Sequence, residues 1–252
     1  MPQIVKRQVV SSPSKTAGLP VVKSKPRTSL RDYISVFFGQ PGVGKTTFVN
    51  QLSDRVLFAS TDRGTRFLET LTVECFTYED FLALLDKLEA GGSKNYDYLA
   101  IDHVDDWANM VETYVLKKLG VEALTDAGYG KGWSTLKTEI KRFMNRVKAL
   151  GMGIVFIAHE EFKTVKVGSL DVDKCQPMMS KQAWNAIIPL ADIVGYCAVQ
   201  DMKDKAGKRT EVRVLRTSPR PDLYAKDRTS RTRPSTSFEL LDGRRFVATF
   251  GN

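Results

Sequence analysis

The sequence predicts an α/β fold with a mostly parallel central sheet and helices on both faces. Several apolar runs do not alternate polar and apolar residues, which is typical of strands buried on both faces. Segments with helical spacing of apolar residues separate these runs, and such alternation of strands with helices favours this fold class. We expect strands at 33–38, 56–60, 97–102, 153–158 and 191–199.

Two helices and two late strands complete the predicted elements. Thr77 and Asp80 have the spacing of a capping box, which predicts the start of a helix. Apolar residues keep helical spacing over 133–150. Strands predicted at 211–215 and 245–250 would add antiparallel pairs to the edge of the sheet.

Length and composition indicate one main soluble domain in the 252-residue chain. We expect a flexible basic arm over 1–30, where Pro, Ser, Thr and Lys predominate, and a folded domain over 31–252. No apolar run reaches the roughly 18 residues that a bilayer span needs, so no membrane association is expected. Three scattered cysteines, Cys75, Cys175 and Cys197, favour a reducing cytoplasm.

Positive charge is concentrated in two segments. The net charge is +9, yet residues 1–31 carry seven Lys and Arg residues and no acid. Residues 203–233 carry eleven against four acids, so the remainder is net negative. This distribution is typical of a polyanion binder, although a solvated tail and a solvated hairpin would give the same pattern.

A glycine-rich motif follows the first predicted strand and precedes a predicted helix. Its pattern is G-x-x-x-x-G-K-T, whose glycines allow backbone N–H groups to surround phosphates. Lys45 would contact the β- and γ-phosphates of ATP, and Thr46 would bind Mg²⁺. The predicted nucleotide-binding residues are Gly39, Gln40, Pro41, Gly42, Val43, Gly44, Lys45, Thr46 and Thr47.

A P-loop also needs a carboxylate at the end of a neighbouring buried strand to hold Mg²⁺ and its water. The apolar run Tyr98–Ile101 ends in Asp102, which is therefore the predicted Walker B residue and second metal ligand. Asp105 and Asp106 compete for the role, but they fall beyond the strand and are expected to be surface acids of the next helix.

Hydrolysis requires a group that activates water, and Asp62 directly follows the strand at 56–60. An exposed loop acid is the alternative interpretation of Asp62. His159 follows the strand at 153–158 and would emerge where ligands of α/β folds bind, so we expect a sensor of the γ-phosphate. A structural role remains the alternative for His159, and His103 has no second indicator of function.

These motifs, in this order, resemble the RecA-like recombinase core, in particular its small phage-encoded versions. The resemblance covers roughly 33–230. Some members of the phage ATPase group are single-strand annealing proteins. The motifs are Gly39–Thr47, Ser60–Thr65, Ile101-Asp102 and Phe156–His159, and Tyr129–Trp133 and Ala225–Arg228 also resemble the phage group.

The resemblance implies an oligomeric ATPase that single-stranded DNA stimulates, acting in recombination or annealing in the host cytoplasm. A single-strand-binding protein is a further partner that it suggests. Two positions depart from the family: Asp62 stands where Glu is usual, and His159 where Gln is usual. The separate N-terminal DNA-binding domain of full-length recombinases has no counterpart, which leaves the basic arm.

The resemblance also implies DNA-binding and subunit-interface residues. The segment after the sensor strand is a mobile DNA-binding loop in the family, and here 160–184 carries four lysines among aromatic and Met side chains. An ordinary loop before a core helix, with Trp184 buried, is the alternative. The predicted DNA-binding residues are Lys163, Lys166, Lys174 and Lys181, and Lys226 and Arg228 would reach a neighbouring subunit's phosphates unless they are a solvated strand end.

Two other functions remain open from the sequence. A nucleotide switch, such as a helicase loader or a packaging accessory protein, would act through protein contacts. A small-molecule kinase shares the P-loop, but the sequence shows no arginine-rich lid between strands.

Overall fold

An eight-stranded sheet lies at the centre of the fold in this computed structural model, which describes residues 23–203, 209–232 and 242–250. A separate two-stranded hairpin, β6 and β7, accompanies it. The strands are β1 (Ile34–Gly39), β2 (Val56–Ser60), β3 (Leu71–Glu74), β4 (Tyr98–Asp102), β5 (Gly153–Ala158), β6 (Glu160–Val167), β7 (Leu170–Pro177), β8 (Ile193–Lys203), β9 (Arg209–Arg216) and β10 (Lys226–Asp227).

The strand order is β10-β8-β1-β5-β4-β2-β3, with β9 also paired to β8. Every pair from β8 to β3 is parallel, whereas β9 and β10 run antiparallel to β8. This arrangement confirms the predicted fold class, including the antiparallel C-terminal strands. The carboxyl ends of the parallel strands lie at one edge of the sheet, where ligands of such folds bind.

Helices cover both faces of the sheet, as predicted. Four of them pack on one apolar layer, and α1 and α6 pack on the other. The capping box is confirmed, because Asp80 N donates to Thr77 Oγ1 and Thr77 N donates to Asp80 Oδ2. No helix in the described ranges is long and apolar enough to cross a bilayer. The helices are α1 (Lys45–Asn50), α2 (Tyr78–Glu89), α3 (Val104–Leu119), α4 (Lys131–Ala149), α5 (Lys181–Ile187) and α6 (Gly243–Ala248).

The two apolar layers explain why the strands are continuously apolar. In β1, Val36 and Phe38 pack under one layer of helices and Phe37 packs under the other. Successive strand residues point to opposite faces, so a strand covered on both sides has no position that faces solvent. Burying each such side chain contributes about 1.5–3 kcal/mol. This core holds β1 in place and thereby fixes the position at which β1 ends and the glycine-rich loop begins.

The strand predicted at 245–250 is wrong, because this segment contains the helix α6. Asp242 caps the helix by accepting hydrogen bonds from the N–H groups of Arg244 and Arg245. Phe246 and Phe250 are both buried and lie four residues apart, which is helical spacing. They pack against the α1 face of the sheet, so the C-terminal segment supports α1 instead of extending the sheet.

The prediction of a mobile loop over 160–184 is also wrong. It folds into the antiparallel hairpin of β6 and β7 and then into α5, whose Ser180 cap accepts from Ala183 N. The short strand β3 was not expected either. All four of its residues are exposed, so the strand lacks the apolar run that identified the buried strands.

Residues 1–22 of the expected basic arm lie outside the described residues. Residues 23–29 are exposed, but Leu30 is only 1% exposed and belongs to the α1-side core. Tyr33 further ties this segment to the fold by donating its hydroxyl to Arg27 O at 2.7 Å. Leu30 therefore contributes to the stability of the folded domain.

Candidate active site

The glycine-rich loop lies at the carboxyl end of β1 and leads directly into α1. At Gly39 a Cβ atom would lie 2.1 Å from the carbonyl oxygen of Cys197 on the neighbouring strand, so no other residue fits there. Gly44 has φ +96°, a conformation that favours glycine. These constraints shape a loop whose backbone N–H groups can face phosphate oxygens.

Lys45 is the cation of this loop, and it is 4% exposed. Its ammonium donates to Gly39 O at 2.8 Å and to Gln40 O at 2.9 Å. An ammonium has three donors, so one remains for a phosphate without breaking either bond. Burial lowers the pKa of Lys45, while the nearby Cys197 and Asp102 act in the opposite direction.

Thr46 and Asp102 meet at the same place. The Thr46 hydroxyl donates to Asp102 Oδ2 at 2.9 Å, and Asp102 is only 1% exposed at the end of β4. A hydroxyl and a carboxylate are oxygen donors that suit Mg²⁺, which also takes phosphate and water oxygens. These two residues would hold the ion, which would neutralise charge on the transferred phosphate.

His103 lies between two of the carboxylates predicted from the sequence. Its Nε2 is 2.8 Å from Asp102 Oδ1, although the ring lacks the alignment of a good hydrogen bond, and its Nδ1 is 3.8 Å from Asp62 Oδ2. Asp62 itself is exposed and accepts a hydrogen bond from Gly64 N at 2.8 Å. The structure thus gives His103 the indicator of function that the sequence lacked.

The two histidines form a pair whose ring centroids are 4.2 Å apart. Burial alone would lower the pKa of His103, but the carboxylates of Asp102 and Asp62 outweigh it and raise that pKa. Burial lowers the pKa of His159, and the charges of His103 and Lys45 lower it further. His159 is therefore the neutral member, able to donate or accept a hydrogen bond.

The expectation that Asp105 and Asp106 are surface acids is wrong, since both are half-buried at the start of α3. Asp106 accepts a hydrogen bond from the Thr61 hydroxyl at 2.9 Å. Among the described residues nothing donates to the buried Oδ1 of Asp105. Burial raises the pKa of Asp105, which faces both Lys45 and His159 closely enough to act on their charges. Asp105 joins Asp62 as a candidate for activating water.

The four lysines predicted to bind DNA are not on one surface. Lys163 and Lys174 are opposite each other across the hairpin, so they share a face. Lys166 pairs with Asp171 on the other face, and Lys181 begins α5. Trp184 is partly buried against Tyr224, 5.0 Å between ring centroids, and is not an exposed stacking surface.

Lys226 and Arg228 lie at the opposite edge of the sheet from the glycine-rich loop. Lys226 pairs with the amino end of β8, and its ammonium donates to Ile188 O at 2.8 Å. Arg228 Nη1 is 3.9 Å from Asp192 Oδ1. Lys226 is level with Val36 of β1, three strand residues or about 10 Å before Gly39 and two strands across, and its ammonium is held by Ile188 O, so it does not contact its own chain's loop.

Sequence reasoning missed a groove between α4 and α5 and an arginine beside the loop. The groove has a volume of about 750 Å³. Its signal in the sequence is the four-residue spacing of Trp133, Lys137 and Lys141, which places all three on one helix face. The arginine is Arg213 of β9, whose Nη1 lies 3.1 Å from the Cβ position of Gly44.

Comparison with known proteins gives a family, a curated relative and a similar solved structure. The family model described as AAA domain matches residues 31–229. The SPbeta prophage-derived uncharacterized protein YorG of Bacillus subtilis strain 168 is 25% identical over 173 residues, 66% of this chain and 51% of the relative. The chain therefore spans about half the length of that relative.

Among solved structures, a KaiC-like protein from Pyrococcus horikoshii OT3 is similar with a TM-score of 0.40 and 12% sequence identity. The similarity covers 74% of this chain and 79% of that protein.

The family match includes the glycine-rich loop, Asp102 and His159. The site is therefore that of a P-loop ATPase.

Proposed function

This chain belongs to the AAA domain family, and on that premise we propose that ATP binding and hydrolysis control its assembly on single-stranded DNA. The assembled protein would act in recombination or annealing. ATP and Mg²⁺ would be held by the glycine-rich loop, Lys45, Thr46 and Asp102. The observation that carries the DNA role is the groove between α4 and α5.

The groove combines positive charge with an aromatic surface. Lys137 and Lys141 lie on α4 and Lys181 on α5, and all three have exposed side chains. Trp133 lies at the same groove and is 44% exposed. The full lining is Trp133, Ser134, Lys137, Lys141, Lys181, Gln182, Asn185 and Ala186.

This composition suits a nucleic acid strand. Lysines neutralise phosphates without regard to sequence, and an exposed indole stacks on a base, since every base has a π face. The amides of Gln182 and Asn185 can donate to or accept from base edges or sugar oxygens. Within the described ranges no acidic side chain lines the groove, so its lining does not repel phosphate.

Further exposed aromatic and basic groups lie on the segment before α4 and on the hairpin. Tyr129 is fully exposed and lies four residues before Trp133. On the hairpin, Phe162 is 64% exposed on one face, and the opposite face carries Lys163 and Lys174. Lys163 is paired with Glu161 at 2.7 Å, and the Lys174 ammonium lies 5.7 Å from the centroid of the Tyr224 ring. These groups support contact with a strand longer than the groove itself.

A connection from the nucleotide to this surface passes through His159. His159 directly follows β5 and precedes β6. Its carbonyl oxygen accepts a hydrogen bond from Met178 N at 2.8 Å, just beyond the end of β7. A γ-phosphate bound to the imidazole would thus act on both ends of the hairpin. The hairpin is the element whose position would differ between the ATP and ADP states.

The oligomeric part of the proposal rests on Lys226 and Arg228. They are remote from their own phosphate site, so contact with ATP would come from a neighbouring copy. A cation supplied in trans stabilises the charge of the transition state. Such a contact would make turnover depend on assembly.

A second function, a nucleotide switch that loads or regulates another protein, is favoured by the exposed edge at β3. Large apolar side chains are exposed there: Phe67 is 93% exposed, Leu71 45% and Val73 37%, and Phe76, whose ring lies under the Arg63 guanidinium, is 44% exposed. Exposed apolar patches mark protein contacts, and an edge strand offers unpaired backbone groups. Strong partner binding without DNA binding would favour this function.

The DNA role is tested by removing the groove lysines. We expect Lys137→Ala with Lys141→Ala to weaken binding of an oligothymidylate and to reduce the salt slope of log Kd by about 1.4, or about 0.7 for each phosphate that is no longer neutralised. Trp133→Ala should weaken binding by about 1–3 kcal/mol, because the indole no longer stacks on a base, with the slope unchanged. The measurement is fluorescence anisotropy across a range of salt concentrations.

A matched control removes two exposed lysines elsewhere, Lys87→Ala with Lys94→Ala, on α2 and the turn that follows it. These residues do not line the groove, so affinity and salt slope should stay close to wild type. Equal effects of the two double variants would contradict the groove as the DNA site.

A further inference from the structure

The hairpin of β8 and β9 extends beyond the carboxyl edge of the sheet, beside the glycine-rich loop. β1 ends at Gly39, whose partner on β8 is Cys197, but β8 continues to Lys203 with β9 paired to it. Residues 198–203 therefore run past the end of β1, a length of about 20 Å. The hairpin has the reach to present side chains to a nucleotide held at that edge.

The register of the hairpin places Arg213 on the side of the loop. Leu215 and its partner Cys197 belong to the core layer that packs under α1. Arg213 is two residues from Leu215 and opposite Val199, so it shares that face one step beyond the sheet edge. The distance agrees, since its Nη1 is 3.1 Å from the position of a Cβ on Gly44.

Arg213 is also free to take a ligand. Within the described part of the chain it makes no hydrogen bond or ion pair, and it is exposed. Its neighbours differ: Arg216 donates to Gln200 at 2.9 Å, and Arg220 pairs with Asp222 at 3.0 Å. Gly44 has no side chain, so the guanidinium lies directly against the backbone that would surround the phosphates.

We propose that Arg213 contacts the phosphates of the nucleotide bound to the same chain's glycine-rich loop. A guanidinium presents a planar fork of donors that matches phosphate oxygens, and it remains charged at every pH the protein meets. The contact would also tie the β8–β9 hairpin to the nucleotide. This inference rests on the proposed nucleotide site and adds to it a residue from a distant part of the chain.

The test compares Arg213→Ala with Arg209→Ala. Arg209 lies on the same strand and face, four residues further toward the hairpin turn, and is also exposed. Binding of Mg²⁺-ADP and of a non-hydrolysable Mg²⁺-ATP analogue would be measured by titration calorimetry. We expect Arg213→Ala to weaken affinity about tenfold or more, since it removes a charge-assisted hydrogen bond, and Arg209→Ala to stay within about twofold of wild type.

Arg213→Lys keeps the charge without the fork and should fall between Arg213→Ala and wild type. Melting temperatures of all three variants should match wild type, because the side chains are exposed. Wild-type affinity in Arg213→Ala would overturn this inference alone. A wild-type protein that binds neither nucleotide would overturn the proposed function and this inference with it.

Discussion

The pKa values of the two neighbouring histidines at the site shift in opposite directions. His103 faces carboxylates on both sides, and His159 faces His103 and Lys45. Burial lowers the pKa of both imidazoles, and the difference between these neighbours shifts the two pKa values in opposite directions overall. The lowered pKa of His159 favours a neutral imidazole, which is suited to a hydrogen bond with phosphate, whereas contact with the Asp102 carboxylate helps to raise the pKa of His103.

Because the chain has two histidines, their titration can be followed directly. We expect NMR signals from His103 to titrate above the ordinary value of about 6.5 and those from His159 to titrate below it. His103→Asn would assign the signals and should raise the pKa of His159 toward that value, since a neighbouring charge is removed. Two titrations near 6.5 would contradict the arrangement.

The same shifts predict how the free energy of unfolding changes with pH. The pKa of His103 is raised in the folded state, so its stabilisation is complete below about pH 6.5 and is lost as pH rises through the raised value. The pKa of His159 is lowered, so its stabilisation is present above about pH 6.5 and is lost as pH falls through the lowered value. The stabilisation from His103 is therefore found below about pH 6.5, and that from His159 above it.

At the scale of elements, the hairpin of β6 and β7 would connect the nucleotide site to the proposed DNA surface. His159→Ala should leave ATP binding intact, because the glycine-rich loop and Lys45 are unchanged. The nucleotide-dependent difference in DNA affinity should shrink, since the γ-phosphate would no longer touch the segment that holds the hairpin.

The measurement is the affinity for single-stranded DNA with ADP and with a non-hydrolysable ATP analogue. His159→Gln is the matched variant: its amide can still hydrogen-bond a phosphate oxygen, so it should keep most of the difference. A full difference in His159→Ala would show that His159 only shapes the site.

Helix α6 provides a separate test of the fold, because its helical form was not expected. In a strand, Ala248 would share a buried face with Phe246 and Phe250, whereas in the helix Ala248 is exposed. Ala248→Glu should therefore change the free energy of unfolding by less than about 0.5 kcal/mol. Phe246→Ala should lower it by about 3–5 kcal/mol, as expected for a buried aromatic residue. A large cost for Ala248→Glu in denaturant unfolding would favour a strand.

The sequence predicts this fold well where a residue pattern is compatible with only one local structure. The continuous apolar runs of β1, β4 and β5 exclude a half-exposed strand, and the glycine-rich motif has one known loop geometry. The segment 245–250 is short enough for strand and helix patterns to coincide, and the Asp242 cap decides between them. The sequence does not predict the burial of Asp105, because the burial of α3 depends on helices that are distant in the sequence.

At the scale of the whole molecule, the charged groups separate into distinct sites. The phosphate loop lies at the carboxyl edge of the sheet, the groove lies between α4 and α5, and the pair Lys226 and Arg228 lies at the amino edge. The register that brings Arg213 to the loop also follows from long-range pairing of β8 with β1 and β9. Such pairings are not visible in local sequence patterns, which explains why the sequence predicts the P-loop and not Arg213.

We propose that one chain couples ATP hydrolysis at the glycine-rich loop to single-stranded DNA. The most direct test of this coupling is ATP turnover of wild type and Lys45→Ala, each with and without an oligothymidylate at constant Mg²⁺ and salt concentrations. We predict turnover in wild type that DNA increases, and none above background in Lys45→Ala, because the cation of the phosphate loop is removed. Turnover that DNA does not change would contradict coupling to DNA, and a wild-type rate in Lys45→Ala would contradict hydrolysis at the glycine-rich loop.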